Sequence, residues 1–207
     1  MMPSLPRNMP DPARAHGAWV YLIVSVLAGA LSVAGQGFMP ALFAGVGYVG
    51  IFLLASAVAL WPRPRWRRRF ASGMLLAAGA PVLAILLDAN PTFFAYALIA
   101  AFPAGAAVWF SVRQGFQSPV ALCFAVAALV VAAPSAACAG GGSPQVGWML
   151  ALLLTPFFIW RTWSIRSALT KNKSWSRAQL RKQGMREAGI AVVWTAVCVA
   201  LIHIVAV

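Results

Sequence analysis

RTWSIRSALTKNKSWSRAQLRKQGMRE, residues 161–187, is the most basic stretch of the chain. It contains eight of the sixteen Lys and Arg residues and a single acidic residue, Glu187. Long apolar segments lie on both sides of it. So many charges cannot lie in the hydrocarbon of a bilayer. The stretch therefore predicts a segment outside the membrane, and it fixes the side on which every other loop must lie.

The composition is that of a membrane protein. Of the 207 residues, 62% are hydrophobic and only 9% are charged, whereas a soluble domain has about 25% charged residues. The apolar residues run in blocks close to the ~20 residues that a helix needs to cross a bilayer. The sequence therefore predicts an all-α, polytopic transmembrane helix bundle.

The apolar blocks predict about seven membrane spans in one helical domain, residues 18–207, after a Pro-rich leader at residues 1–17. The predicted spans are residues 18–34, 40–60, 71–87, 91–112, 119–138, 144–160 and 188–205. The basic segment 161–187 joins the last two. Within it, Ser176 to Gln179 fits a capping box, so the last helix is expected to begin outside the membrane and run unbroken into the seventh span.

The cations are confined to alternate connections between the spans. Two lie in the leader, five between spans 2 and 3, one between spans 4 and 5, and eight between spans 6 and 7. With seven crossings, the positive-inside rule places the N-terminus in the cytoplasm and the C-terminus outside. This sorting also argues against nucleic-acid binding as the reason for the net charge of +13, and it favours anionic lipid headgroups as the partner.

His16 begins the first span, between Arg14 and Trp19, and should lie at the headgroup level. It either faces a cytoplasmic opening as a ligand or proton-transfer group, with Arg14 supplying charge, or serves with Trp19 as an interfacial anchor. His203 lies near the far end of the seventh span, so the two histidines cannot share a metal. No His/Cys cluster has metal-binding spacing, and neither a metal nor a cofactor is predicted.

Two groups of arginines flank the spans on the side that is predicted to be cytoplasmic. One group extends the sixth span, and the other lies in WPRPRWRRRF, residues 61–70. Both groups fit either a guanidinium site for phosphate or carboxylate, or snorkelling to lipid phosphates. The predicted ligand- or headgroup-binding residues are Arg14, His16, Trp19, Arg65, Arg67, Arg161 and Arg166.

No catalytic residue is predicted. The chain has no GxSxG, HExxH or Walker motif, and Asp11, Asp88 and Glu187 are its only acids, which nearly excludes paired-carboxylate chemistry. A non-enzymatic role is therefore favoured. Asp88 ends the third span on the predicted outer side, where it either accepts a polar ligand or is a solvated turn residue.

Prolines and small residues inside the spans bear on helix shape and packing. The internal prolines are Pro81, Pro103, Pro134 and Pro156. Each removes a helical hydrogen bond, which fits either ordinary kinks of membrane helices or the unwound binding segments of a transporter. Two pairs of small residues at helical spacing, Gly73 with Ala77 and Ala101 with Gly105, predict close helix packing.

The residues ARAHGAW, which end at Trp19, resemble the N-terminus of the YwiC-like family of bacterial integral membrane proteins, which typically reads Pro-x-Glu-His-Gly-Ala-Trp. His16 to Trp19 match, whereas Ala15 replaces the glutamate. TPFFIWRTWSIRS, residues 155–167, is similar to an Arg-bearing helix end in that family. The resemblance implies a location in the bacterial inner membrane and no particular activity. Without the glutamate, His16 has no acidic neighbour for an acid/base pair.

Three functions follow from these patterns. The charge sorting favours a protein that binds a lipid, a quinone or a membrane-protein partner at a basic cytoplasmic face. The internal prolines favour the alternative of a small-molecule transporter. A lipid-modifying enzyme is the third, and it requires His16 to face a cavity together with the nearby arginines.

Overall fold

The computed structural model describes residues 16–33, 35, 37–59, 66–114, 118–171 and 177–205. All of the regular secondary structure in these ranges is helical. The helices are α1 (His16–Ser32), α2 (Phe38–Ala59), α3 (Trp66–Leu86), α4 (Phe93–Gln114), α5 (Pro119–Val130), α6 (Ala132–Ala139), α7 (Pro144–Lys171) and α8 (Arg177–Val205). Helices α5 and α6 together cover the fifth predicted span.

Within the described residues, six segments are long and apolar enough to cross a membrane. They are Phe38–Ala57, Trp66–Leu86, Phe93–Ser111, Pro119–Ala139, Pro144–Ser164 and Lys182–Val205. A shorter apolar helix, Ala18–Ser32, coincides with the first predicted span. The chain is therefore an all-α, multi-pass bundle, as the sequence predicted, and each of the seven predicted spans corresponds to helical structure.

The basic segment is largely helical at both of its ends. Helix α7 continues past the predicted end of the sixth span to Lys171, and α8 begins at Arg177, well before the predicted start of the seventh span. The last helix therefore runs unbroken from the basic segment into the span, as expected. Ser176, the predicted cap, lies outside the described residues.

The regular hydrogen bonding of the fifth span is irregular at Val131, where α5 ends and α6 begins, although Val131 keeps a helical conformation with φ −59° and ψ −18°. Pro134 explains the position of the irregularity, because it has no N–H and its ring crowds the carbonyl four residues earlier, that of Val130. The helix continues with a hydrogen bond from the Ser135 N–H to the Val131 carbonyl, 3.2 Å long. The other internal prolines lie within continuous helices in α3, α4 and α7.

Helix α6 occupies the centre of the bundle, and all eight of its residues are buried. It contains only small residues and Pro134, so neighbouring backbones come close to it. A Cβ atom on Gly29 of α1 would collide with the carbonyl oxygen of Ala133, and one on Gly147 of α7 would lie 2.8 Å from the Pro134 Cβ. Helices in an apolar lipid have no hydrophobic driving force to associate, so close packing of this kind promotes their association instead.

The packing of α2 against α3 confirms one of the two predicted small-residue contacts. A Cβ on Gly73 would lie 2.9 Å from the backbone nitrogen of Leu54, and one on Gly50 would overlap the backbone of Ala77. The second prediction was wrong for the described residues, because no described atom outside the glycine's own stretch of helix lies within 4 Å of a Cβ placed on Gly105. That part of α4 faces outward, since Phe102 is 78% exposed.

Contacts between helices show which ends of the helices lie together. Trp19, near the start of α1, packs edge-on against Phe52 in the second half of α2, with ring centroids 5.0 Å apart. The contact between Gly73 and Leu54 brings the start of α3 to the same end. Helix α2 is therefore antiparallel to both α1 and α3 and packs against each of them.

The remaining helices follow the same alternation. Phe110, late in α4, stacks on Phe124, early in α5, with centroids 5.6 Å apart. Tyr21 of α1 lies within hydrogen-bond distance of Thr162, late in α7, at 3.3 Å. We use the term basic end for the end of the bundle formed by the starts of α1, α3, α5 and α8 and the final parts of α2, α4 and α7.

Every Lys and Arg among the described residues belongs to a helix segment at the basic end. The opposite end contains the connections near residues 33–37, 87–92 and 140–143, and Asp88 is the only charged side chain described there. The connection at residues 87–92 lies against the end of α6, since the Asn90 N–H donates to the Ala139 carbonyl at 3.0 Å. The charge sorting of the sequence thus corresponds to a spatial separation of charge along the bundle.

Candidate functional site at the basic end

An ion pair joins α7 to α8 at the basic end. The guanidinium of Arg161 donates from Nε to Oε2 of Glu187 at 2.7 Å, and its Nη2 donates to the same oxygen. The other carboxylate oxygen accepts a hydrogen bond from Gln183 Nε2 at 2.7 Å. The two charged side chains are only 16% and 11% exposed. Both oxygens of Glu187 are therefore bound, and the charge of Arg161 is balanced.

The next residue of α7, Thr162, connects this ion pair to α1. Its hydroxyl donates to the Phe158 carbonyl at 2.8 Å and lies 3.3 Å from the Tyr21 hydroxyl. The Tyr21 ring stacks on the Phe158 ring, with centroids 4.3 Å apart and an interplanar angle of 15°. We call Tyr21, Arg161, Thr162, Gln183 and Glu187 the polar cluster. It ties α1, α7 and α8 together at one level.

The structure places the predicted site residues unevenly. Arg14 and Arg65 lie outside the described residues, and for His16, the first residue of α1, and Arg166, in α7, only the helical backbone is described. Trp19 is half-buried against Phe52.

Arg67 is exposed in the first turn of α3, and so is its neighbour Arg68. Trp66 and Phe70 pack edge-on beside them, with ring centroids 5.8 Å apart. An aromatic pair next to exposed guanidinium groups is a typical arrangement at a membrane interface. The start of α3 therefore offers exposed cations at the basic end, whereas Arg161 is largely shielded.

Other exposed cations at the basic end were not among the predicted site residues. Lys182 and Arg186 are exposed in the first part of α8. Arg113 is exposed late in α4, and its guanidinium lies 4.4 Å from the centroid of the Trp109 ring. In the sequence, these residues could be recognised only by their position at the ends of predicted spans, on the side that carries the cations.

The polar cluster itself was not predicted. Glu187 was noted as the only acid of the basic stretch, but the choice of Arg161 among eight cations depends on how α7 and α8 align. Tyr21 and Thr162 gave no signal, because both are ordinary residues of an apolar span until tertiary packing brings them together.

Asp88 is a turn residue, in agreement with one of its two interpretations. It has a φ of 61°, in the left-handed region. The Asp88 N–H donates to the Ile85 carbonyl, and the Ala89 N–H donates to the Ala84 carbonyl, both at 3.0 Å. This is the hydrogen-bond pattern of a Schellman motif, which closes the end of α3.

The described residues contain no group of three or more His, Cys, Asp or Glu side chains that could hold a metal ion. His203 is exposed near the end of α8, at the opposite end of the bundle from His16. Among the three cysteines, Cys138 and Cys198 are buried and Cys123 is partly buried, and all are free thiols.

The fold and the basic end define a multi-pass helical membrane protein with its cations gathered at one end. No family model matches the chain, and no curated protein or solved structure matches it. The resemblance to the YwiC-like family therefore stays a prediction from the HGAW motif.

Proposed function

We propose that this protein binds anionic phospholipids through its basic end, and that this end faces the cytoplasm of a bacterial inner membrane. The separation of charge along the bundle is the observation that carries the proposal. Cytoplasmic loops of membrane proteins are enriched in Lys and Arg. Anionic lipids of the cytoplasmic leaflet attract such residues by about 1 kcal/mol each near the surface.

The residues of the basic end have two different roles in this proposal. Arg67 and Arg68 on α3 and Lys182 and Arg186 on α8 are exposed and contact headgroups. Arg161 instead positions α7 against α8, because Glu187 already balances its charge. Arg14, His16, Arg65 and Arg166 remain candidate headgroup ligands on the strength of their sequence positions.

The proposal is tested by replacing Arg67, Arg68, Lys182 and Arg186 together with glutamine. Retained phosphatidylglycerol and phosphatidylcholine are then counted by native mass spectrometry of the purified protein. At about 1 kcal/mol per cation, each removed charge should weaken phosphatidylglycerol binding roughly fivefold at low salt. Phosphatidylcholine binding should change little.

Asp88→Asn is the matched control, because it changes charge at the opposite end and should leave lipid preference unaltered. An unchanged preference for phosphatidylglycerol in a correctly inserted quadruple variant would contradict lipid binding by these cations. If the quadruple glutamine variant instead loses a co-purifying membrane protein while its lipid binding is unchanged, the basic end binds a protein partner.

Two observations support a small-molecule transporter as a second candidate. The fifth span has a proline-dependent irregularity at Val131 inside the bundle, and proline-interrupted spans point to the binding site in many transporter folds. The hydroxyl of Ser25 is buried without a hydrogen-bond partner among the described residues, and the hydroxyl of Tyr48 is buried beside Ser135. Such groups carry a cost that a polar solute or water would remove.

Efflux from proteoliposomes loaded with amino acids, sugars or organic acids tests this candidate. Transport above that of protein-free vesicles, reduced by Tyr48→Phe, would support it. No efflux of any of these solutes would count against it. A lipid-modifying activity at His16 stays a prediction.

A further inference from the structure

The glycines within the helices fall into two groups. At some of them, such as Gly29 and Gly50, an added Cβ would overlap the backbone of a neighbouring helix, so close packing requires the glycine. At the others no described atom outside the glycine's own stretch of helix lies within 4 Å of the Cβ position, and these are Gly79, Gly105, Gly184 and Gly189. Glycine destabilises a helix relative to alanine. The second group therefore weakens its helices without improving their packing.

Two glycines of the second group, Gly184 and Gly189, lie in α8 on either side of Glu187. Glu187 is fixed to α7 by its ion pair with Arg161. Gly184 therefore lies on the side of the basic segment, and Gly189 lies on the side of the span. Small residues near the end of a helix are common positions for a hinge.

On the span side of Glu187, α8 is held firmly in the bundle. Its buried face consists of Ala191, Thr195, Cys198 and Ile202. Trp194 stacks on Phe157 of α7 with ring centroids 5.0 Å apart, and its indole N–H donates to the Leu153 carbonyl at 3.4 Å. A bend at Gly189 would break either this packing or the ion pair of Glu187.

On the other side of Glu187, we call residues 177–183, the first seven residues of α8, the arm. No described side chain of the arm is buried, since Gln179 and Lys182 are exposed and Gln183 is partly exposed. Gln183 Nε2 donates to Glu187 Oε1 across Gly184 at 2.7 Å. A bend at Gly184 would break this bond and the helical hydrogen bonds across the glycine, and it would leave the ion pair intact. Gly184 is thus the easier of the two positions to bend.

Charge favours movement of the arm away from α7. The arm, RAQLRKQ, contains three cations and no acid. The end of α7, residues 161–171, also contains three cations and no acid. Like charges on neighbouring helices repel each other, whereas an anionic leaflet attracts each cation near its surface.

The length of the arm makes the attraction depend on its direction. Seven residues of helix extend about 10 Å, and the attraction to a charged surface falls off within a Debye length of about 8–10 Å. An arm that continues straight along α8 therefore carries its first cation, Arg177, toward the limit of this field. An arm that lies along the membrane surface keeps all three cations within it.

We propose that Gly184 is a hinge, that Glu187 anchors α8 on the span side of this hinge, and that anionic headgroups draw the arm down onto the membrane surface. The inference rests on the proposed function and adds to it a change of shape that depends on the charge of the lipid. The arm is straight in a neutral membrane and bent in an anionic one.

Hydrogen exchange of the full-length protein in lipid nanodiscs tests the hinge. A bend at Gly184 opens the backbone hydrogen bonds of the amides of residues 184–187, and their exchange rate follows the population of the open form. Adding phosphatidylglycerol to phosphatidylcholine nanodiscs should raise this rate about fivefold or more, since one cation near an anionic surface already gains about that factor. Equal rates in the two membranes would overturn the proposal.

Gly184→Ala and Gly189→Ala form a matched pair, because both positions have room for the methyl group. In anionic nanodiscs, Gly184→Ala should slow exchange of the same amides about two- to fivefold, after correction for intrinsic rates, because alanine stabilises the helix. Gly189→Ala should leave them unchanged, since it lies beyond the anchor. Equal effects of the two variants would overturn the assignment of the hinge to Gly184.

A fluorescent label measures the direction in which the arm moves. Bimane on Gln179→Cys, with the native cysteines replaced by alanine, is quenched by a lipid that has a nitroxide on its headgroup. Quenching should rise when phosphatidylglycerol is added, and the rise should be smaller after replacement of Arg181 and Lys182 by glutamine. Quenching that does not respond to phosphatidylglycerol would contradict movement toward the membrane.

The outcome for the hinge is separable from that for lipid binding. If native mass spectrometry shows preferential binding of phosphatidylglycerol while exchange and quenching do not respond to it, the hinge fails and the proposed function stands. If phosphatidylglycerol is neither preferred nor able to change exchange, both fail.

Discussion

The guanidinium of Arg161 on α7 is bound by the carboxylate of Glu187 on α8. The distance from Nε to Oε2 is 2.7 Å, although the two residues are 26 positions apart in the chain. Glu187 is the only acid in a stretch with eight cations, and it neutralises an arginine that is largely shielded. One ion pair thus fixes the packing of two helices while the basic end stays strongly positive.

Glu187→Gln is expected to lower the free energy of unfolding by about 1–3 kcal/mol, because Arg161 then lacks a counter-charge in a shielded site. The loss should be smaller than the ~3–5 kcal/mol of a fully buried pair, since the amide oxygen can still accept a hydrogen bond. Reversible unfolding in a detergent mixture measures it.

Arg186→Gln is the control for this change, since Arg186 is exposed on the same turn of α8. Its effect should stay within about 0.5 kcal/mol. The double variant Arg161→Met with Glu187→Leu should recover most of the stability, because it removes both charges. Equal losses for Glu187→Gln and Arg186→Gln would show that the ion pair does not hold the helices.

Gly50→Ala is expected to destabilise the bundle by about 1–3 kcal/mol, because the added methyl group overlaps the backbone of Ala77 and forces α2 away from α3. Gly79→Ala on α3 is the matched control, since no described atom lies within 4 Å of its Cβ position. The control should be neutral or stabilising by up to about 1 kcal/mol, because alanine favours the helix. A thermal unfolding series compares the two, and the opposite order would contradict the close packing of α2 on α3.

Asp88→Gly should stabilise the protein by about 1 kcal/mol, because glycine adopts the left-handed conformation without the strain of a side chain. Asp88→Val should destabilise it by a similar amount or more, since a β-branched residue is disfavoured at this φ. The difference in unfolding temperature between the two variants measures the effect. Equal temperatures would mean that Asp88 does not close α3 in the left-handed conformation.

Tyr21→Phe removes the hydroxyl next to Thr162 and leaves the ring stacked on Phe158. The expected loss is about 0.5–1.5 kcal/mol, the usual contribution of one hydrogen bond. Tyr21→Leu should cost more, because it also removes the stacking. Unfolding free energies of the two variants test this. Equal losses would mean that the ring stacking adds nothing to the hydroxyl contact, and no loss for Tyr21→Phe would contradict the hydrogen bond.

The spans were predictable because about 20 consecutive apolar residues have few alternatives to a membrane helix. Once the spans are placed, the cations are seen to lie in alternate connections. This alternation matches the antiparallel order of the helices. The irregularity at Val131 was expected from Pro134, as either a kink or an unwound segment. Its place at the buried centre depends on how the other helices pack around α6.

The polar cluster and the lipid-facing surfaces were not predictable from local patterns. Gly73 and Gly105 have equivalent spacing to a small neighbour in the sequence, yet only Gly73 lies in a helix contact. The difference arises because α3 turns that face toward α2, whereas the corresponding face of α4 points outward. Rotation of a helix about its axis is set by tertiary packing, which a nearly uniform apolar sequence does not encode locally.

The sidedness of the basic end is the property on which the proposed lipid binding depends, and thiol labelling measures it. Ser143→Cys and Lys182→Cys, each in a variant with the native cysteines replaced by alanine, are exposed to a membrane-impermeant maleimide in intact spheroplasts. Ser143→Cys, at the uncharged end, should be labelled from outside, and Lys182→Cys should be labelled only after the membrane is opened. Labelling of Lys182→Cys in intact spheroplasts, with Ser143→Cys protected or labelled equally, would contradict a cytoplasmic basic end.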